Sequence, residues 1–295
     1  MNTRTVLVTG AGRGIGRAIT VRLARSGWRV YGGVRSAPAA RGLATESELI
    51  TPVELDVTRP EHLAALDREL PDRLDALVNN AGVAVAGPIE TLSRSDMHRQ
   101  FDINLIGPLA LTRLMLPRLR RARGRVVFIS SINGRVSFPF TGIYNASKYA
   151  TEAVADCLRV ELRPFGVQVA LIEPGVIDTD PWRQMDDLID DLEAGLHPAH
   201  RALYATHFAA ERQLIGRIRK SAKPAERVAA AVERQLSRRR MRPRTVVGAD
   251  ARTILGMKML LPDRGLDALW SRGMGQPPRT APAPTTSSTE QGGPP

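Results

Sequence analysis

Short apolar, largely β-branched runs recur along this chain, each followed by a longer stretch with helical periodicity. That rhythm constrains the fold more than any other feature. The strand-like runs fall at 5–9, 28–34, 53–56, 76–79, 125–130, 168–173 and 245–248, and helix-like stretches at 15–26, 60–70, 95–120, 143–164 and 224–239. Strands separated by a helix's length of chain run parallel, and their crossover helices cover both faces. The expected fold is α/β: one doubly wound seven-stranded parallel sheet with helices on both faces, in a single domain over residues 1–250. Residues 176–223 break the rhythm with mixed charge and no strand, and read as a helical lid inserted over a site. Residues 251–275 (Ile254, Leu255, Met257, Met259, Leu260, Leu261, Leu266, Leu269, Trp270) are apolar and broken by Pro262. They read as a helical segment docked on the core or on a partner subunit, with weak contact to a membrane surface as the sharper alternative. Residues 276–295, rich in Pro, Thr, Ser and Gly, read as a disordered tail.

Where the first strand meets the first helix stands Thr9-Gly10-Ala11-Gly12-Arg13-Gly14-Ile15-Gly16. Gly10 allows a tight turn, Gly14 close approach of a ligand to the backbone, and Gly16 close packing of helix on sheet. The helix N-terminus then offers N–H groups and a positive dipole end to a diphosphate. The spacing is T-G-x-x-x-G-x-G, because Ile15 and Arg17 stand where G-x-G-x-x-G would place its third glycine. A Rossmann-type dinucleotide site follows. For NAD, an acid at the end of the second strand would hold the adenosine ribose. Here Val34 stands there, followed by Arg35 and Ser36. A guanidinium fork and a hydroxyl suit a 2′-phosphate, and Arg13 lies within reach, so NADP(H) is expected in preference to NAD(H). Asp56-Val57 closes the third strand, where the carboxylate is placed to accept from the adenine amino group.

A net charge of +12 raises the question of nucleic acid. The arginines concentrate at 118–125 and 238–244, both at predicted helix ends, where cations oppose the macrodipole. Solvated helix ends account for them, and no nucleic-acid partner is expected. No apolar run is long enough to span a bilayer, the first strand begins too early for a secretory leader, and Cys157 is the only cysteine. A soluble, cytoplasmic protein is the expectation.

Tyr144 and Lys148, four apart at the start of a helical pattern, share one face. An isolated phenol is a poor acid–base group at neutral pH, and a nearby ammonium is expected to draw its pKa down. Ser131, thirteen residues before Tyr144, ends the fifth strand at the edge where ligands bind in such sheets. With Asn79-Asn80-Ala81-Gly82, Asn104 and Pro174-Gly175-Val176-Ile177-Asp178-Thr179, these residues make the chain resemble the short-chain dehydrogenase/reductase family over roughly residues 3–250.

The resemblance implies an oxidoreductase that moves a hydride between a nicotinamide and a carbonyl or alcohol carbon. It implies that Tyr144 exchanges a proton with the substrate oxygen and that Ser131 hydrogen-bonds that oxygen. Lys148 would hold the nicotinamide ribose, and Asn104 would anchor a water. Asn80, Ala81 and Gly82 would flank the adenosine side; Pro174, Gly175, Ile177 and Thr179 would lie by the nicotinamide. A homodimer or homotetramer packed through the helices carrying Asn104 and Tyr144 is also implied. The five histidines form no ligand-like cluster, and no catalytic metal is expected. Val136, Phe138, Phe140, Trp182 and Met185 suggest an apolar pocket for a bulky alcohol or ketone. The long lid is loosely similar to the 17β-hydroxysteroid and retinol dehydrogenase branch. The alternatives are a non-catalytic dinucleotide-binding regulator, which would need neither Ser131 nor Tyr144, and an epimerase or dehydratase, for which 251–295 is too short.

Overall fold

The computed structural model describes residues 3–179, 185–219 and 221–276. Among these the strands are β1 (Thr5–Val8), β2 (Arg29–Val34), β3 (Ile50–Glu54), β4 (Ala76–Asn79), β5 (Arg125–Ile129), β6 (Gln168–Pro174), β7 (Ile177–Asp178), β8 (Lys223–Pro224) and β9 (Arg244–Val247). The helices are α1 (Gly14–Arg25), α2 (Ala37–Ala44), α3 (Pro60–Glu69), α4 (Arg94–Phe101), α5 (Gly107–Ala122), α6 (Gly142–Glu161), α7 (Met185–Gly195), α8 (Pro198–Arg219), α9 (Glu226–Ser237), α10 (Ala249–Leu260) and α11 (Asp263–Gly273).

Seven strands pair in parallel in the order β3-β2-β1-β4-β5-β6-β9, which is the expected Rossmann-type sheet. Alternation along each strand sends successive side chains to opposite faces. Val6, Val8, Val30, Val78 and Ile172 therefore join α1 and α9 in one core layer. Leu7, Leu77, Val126, Phe128 and Leu171 join α3, α5 and α6 in the other. The chain reverses its winding between β1 and β4, which opens a crevice at their carboxyl ends. The glycine turn leaves β1 and Asn80 leaves β4, so both reach that crevice.

Several elements depart from expectation. β3 begins three residues early and includes Pro52, which an edge strand tolerates because its missing N–H can face outward. α2 was not expected: Ser36 caps it by accepting from the Ala39 N–H at 3.4 Å, and its eight residues are too few to carry a clear helical period. The single helix expected over 95–120 is divided by a π-helical turn at 102–106 between α4 and α5. Gly107 starts α5 there because a Cβ would meet the Val57 carbonyl at 2.7 Å.

The lid region expected to lack strands is tied at its base by β7 pairing with β8, Ile177 opposite Lys223 and Asp178 opposite Pro224. Two residues per strand are too few to give a period-2 pattern, which is why the sequence did not reveal them. α10 and α11, which meet at Pro262, place Ala251, Ile254, Leu255 and Trp270 against Ile132, Val136 and Phe138. Met259 and Leu260, at the elbow, are 88% and 84% exposed. Of the tail expected over 276–295, residues 277–295 lie outside the described residues.

Candidate active site

The glycine turn is held by its neighbours. The Thr9 hydroxyl accepts from the N–H groups of Asn80 and Ala81, both at 2.9 Å. The Asn80 amide donates to the carbonyls of Thr9 and Gly10, at 2.9 and 3.3 Å. Gly10 and Gly14 adopt positive φ, at 65° and 52°. A Cβ on Gly16 would lie 2.1 Å from the Gly10 carbonyl oxygen, so helix and turn approach to a distance only glycine permits. A Cβ on Gly12 would lie 3.1 Å from that of Ala39. Arg13 occupies the N-cap of α1 without a side-chain capping bond, and the first turn carries no acid, so Ile15 and its neighbours leave the N-terminus open for an anion.

Val34 is buried, whereas Arg35 and Ser36 are exposed at the end of β2, and Arg13 is exposed beside the turn. Asp56 Oδ1 accepts from the Thr58 N–H and hydroxyl, at 3.0 and 2.7 Å. Burial alone would raise the Asp56 carboxyl, but the Thr58 bonds and the charges of Arg35 and Arg59 hold it below its ordinary value. Val57 is buried in the core. On the other side of the crevice, Thr179 lies over Gly14, where a Cβ would be 3.4 Å from its methyl group. Ile177 is buried against the α1 side of the core. The Pro174-Gly175 turn is braced by Asp250, whose Oδ2 accepts from the Val176 N–H at 2.8 Å. A Cβ on Gly175 would sit 2.1 Å from that oxygen. Asp250 lies outside every motif, so nothing in the sequence drew attention to it.

The structure brings Ser131, Tyr144 and Lys148 together at the carboxyl end of β5. The Ser131 hydroxyl accepts from the Asn133 N–H at 3.2 Å and donates to Asn133 Oδ1 at 3.2 Å, and its influence lowers the Tyr144 phenol. Asn133 donates to Asn145 at 2.7 Å, and Asn145 donates to the Phe138 carbonyl at 2.8 Å, so the segment between serine and tyrosine is internally cross-linked. Neither asparagine was singled out beforehand; the place of Asn145 next to Tyr144 was the available signal. Lys148 is buried, its Nζ 5.7 Å from the Tyr144 ring centre and donating to the Ile129 carbonyl at 2.9 Å. Burial lowers it to about 8, with the Glu152 charge pulling the other way.

The expectation that Lys148 draws the phenol down is not met. Burial raises Tyr144 above its ordinary value, and Ser131 is the opposing influence. The amine is turned towards the Ile129 carbonyl, and removal of the hydroxyl from water dominates.

Asn104 points inward from the π-helical turn. Its Oδ1 accepts from the Val83 N–H and its Nδ2 donates to the Val83 carbonyl, both at 2.9 Å, and to Ser147 Oγ at 3.2 Å. Fully buried Gln100 fastens the same loop through Val83 and Val85. The Asn104 side chain is thus fully engaged, and its main-chain carbonyl, 3.5 Å from the Thr151 hydroxyl, is its remaining acceptor. Gly82 packs beside it.

Of the expected pocket residues, Val136 and Phe138 pack towards the C-terminal helices, the Phe138 ring 4.9 Å from that of Trp270. Phe140 adopts φ 61° and joins the lid, its ring 5.3 Å from Phe208 and 5.9 Å from Tyr204. Met185 packs against that cluster, and Trp182 lies outside the described residues.

Residues 4–188 match the family model of the short chain dehydrogenases. The chain is a short-chain dehydrogenase/reductase. Retinol dehydrogenase 5 of Mus musculus is 34% identical over 280 residues, which cover 90% of this chain and 86% of that protein. The 3-amino-tetrahydro-pyrrolizinone reductase of Xenorhabdus hominickii is 35% identical over 189 residues, covering 62% of this chain and 64% of the reductase. The chain thus matches somewhat less than two thirds of that reductase's length. A short chain dehydrogenase from Burkholderia cenocepacia, solved in complex with NADP, superposes with a TM-score of 0.70 at 26% identity, covering 92% of this chain and 98% of that one. Among the described residues no helix is long and apolar enough to cross a membrane.

Proposed function

We propose that the protein is an NADP(H)-dependent oxidoreductase that interconverts a carbonyl and an alcohol on a bulky, mostly hydrophobic substrate. The observation that carries this reading is the meeting of Ser131, Tyr144 and Lys148 at the carboxyl end of β5, with Lys148 Nζ 5.7 Å from the centre of the phenol ring. The open, acid-free N-terminus of α1 and the glycine cradle fit a diphosphate, and exposed Arg35, Ser36 and Arg13 fit a 2′-phosphate. The bound nicotinamide supplies or accepts the hydride.

The chain's own residues do the rest. Ser131 orients the substrate oxygen, and Tyr144, held protonated by burial, donates to that oxygen in reduction and accepts in oxidation. Lys148 holds the ribose side of the site and a positive charge behind the phenol. The Asn104 carbonyl marks where a water would connect Lys148 to solvent. Asp56, Asn80, Ala81 and Gly82 frame the adenosine end, and Pro174, Gly175, Ile177 and Thr179 the nicotinamide end. Aromatic and aliphatic side chains of the lid, Phe140, Met185, Tyr204 and Phe208, favour an apolar substrate. A homo-oligomer formed through α5 and α6 is supported by Tyr149 and Val160, which leave apolar surface on α6. Cytoplasmic residence remains the reading from the lone Cys157, with the exposed Met259–Leu260 elbow suited at most to weak membrane-surface contact.

Tyr144→Phe tests the assignment. Turnover of hydrophobic ketones should fall by roughly 10²–10⁴-fold, while NADPH affinity, read by fluorescence titration, stays within a few-fold. Retained turnover would remove Tyr144 as the proton donor.

A further inference from the structure

One turn along α6 from Lys148 begins a cluster of charges, two of them buried carboxylates, that the chemistry above does not use. Glu152 follows Lys148 by one turn of α6 and is 5% exposed; Glu173, in β6, is 0% exposed. Arg244 of β9 joins them. Its Nε lies 2.9 Å from Glu152 Oε2 and 3.2 Å from Glu173 Oε1, and its Nη2 lies 2.6 Å from Asp156 Oδ2. Arg135, from the segment after Ser131, reaches Glu173 Oε1 at 3.2 Å, and Arg159 reaches Asp156 at 2.6 Å. Among the described residues, Glu152 Oε1, Glu173 Oε2 and Ser130 Oγ are buried without a hydrogen-bond partner. The packing leaves no slack: a Cβ on Gly134 would lie 2.9 Å from Glu152 Cγ, 3.0 Å from Ser130 Oγ and 3.1 Å from the Lys148 carbonyl.

A buried ion cluster with unsatisfied oxygens is a poor source of stability, since apolar side chains of similar volume commonly do as well or better. Its use must lie in the field it makes, and the catalytic strip is what it faces. Lys148 makes a single hydrogen bond, to a neutral carbonyl, at a depth where a bare ammonium is disfavoured. The charged and titratable groups around it come from every packed element. They are Tyr144, Glu152, Asp156 and Arg159 on α6, Glu173 on β6, Arg244 on β9, and Arg135 in the loop, whose carbonyl accepts from Lys258 of α10. With Glu173 ionised, three carboxylates balance three guanidiniums, so the field at Lys148 depends on local placement. Glu152, one turn along the same helix, is the carboxylate whose charge acts on Lys148.

We propose that Glu152 is a positioning residue that keeps Lys148 charged, and that Arg244 sets the strength of that effect by dividing its own charge between Glu152 and Glu173. Burial and the neighbouring Glu152 raise Glu173 to about 7. Glu173 therefore gains its charge as pH rises through neutrality, and Lys148 is held more firmly in its ammonium form above that point.

The proposal rests on reading Lys148 as the amine that serves Tyr144, but its test reads the titration of Lys148 and not turnover, so the two can fail separately. The chain has four lysines. Lys148 can therefore be followed in the full-length protein by the Cε–Hε signal of ¹³C-labelled lysine, assigned with Lys148→Arg. A main step near pH 8 and a smaller inflection near pH 7 are expected. Glu152→Gln should move the main step down by about one unit, and Glu152→Asp, which restores the charge, should bring most of it back. An unmoved main step in folded Glu152→Gln overturns the proposal. If that variant does not fold, the inflection near pH 7 decides: it must appear in the wild type and vanish in Glu173→Gln, and its absence from the wild type overturns the proposal equally.

Discussion

The crevice around the glycine turn and the cluster that α7 and α8 form with Phe140 are held together by different physics. Around the glycine turn, backbone and amide groups meet in directed hydrogen bonds, Thr9 and Asn80 to both strands' ends. A Cβ on Gly16 would lie 2.1 Å from a carbonyl oxygen, so a single methyl group has no place there. In the lid, Phe140, Ile189, Phe208 and Met274 meet by packing, ring against ring at 5.3 Å, with no directional requirement. Geometry of the first kind is satisfied by very few residues, whereas packing of the second kind is satisfied by many combinations of similar volume. The kind of cofactor is therefore written in residue identities, and the substrate is written in shape.

Four variants would break or sharpen that contrast. Gly16→Ala should have the largest effect, because the new methyl overlaps backbone that cannot retreat. A loss of roughly 1–3 kcal/mol or more, seen as a fall in Tm, should accompany at least tenfold weaker NADPH binding. A tolerated alanine would show that the turn is softer than its contacts imply. Val34→Asp with Arg35→Ala should come next, moving the NADPH/NADH preference towards NADH by about 10–100-fold, the worth of a hydrogen bond to a charged group. An unchanged ratio of kcat/KM would place the phosphate contact elsewhere, with Arg13 the next residue to test.

Phe208→Leu should cost less, under about 1.5 kcal/mol if the lid repacks, and should shift substrate KM while NADPH affinity stays put. A change in cofactor binding would mean that lid and crevice are coupled. The smallest effect concerns Glu211 of α8, which burial raises to about 7. Between its ordinary value of 4.5 and 7 the folded protein holds this proton more tightly than the unfolded chain does. Stability attributable to it is therefore lost as pH rises through that window. Glu211→Gln should flatten the decline of Tm between pH 5 and 8, and an identical slope in the variant would show that the carboxyl reaches water when ionised.

The same contrast explains what could be read in advance. The parallel sheet was legible because buried strands and crossover helices differ in length and period, and the glycine turn because its conformation excludes other residues. Tyr144, Lys148 and Ser131 were legible because a four-residue interval on a helix and the end of a strand are local facts. β7 and β8 were not, being too short to carry a pattern, and neither was the π-helical turn that aims Asn104 inward, since its extra residue looks like ordinary helix.

Sequence by itself determined the seven parallel strands, the main crossover helices and the family, because each depends on spacing within one element. Tertiary structure alone decided that Asn133, Asn145 and Asp250 brace the site, that Lys148 turns to the Ile129 carbonyl, and that burial raises Tyr144 instead of lowering it. Those outcomes depend on which distant segments exclude water from a given group and which charges they bring beside it. No stretch of chain encodes either before the sheet closes around it.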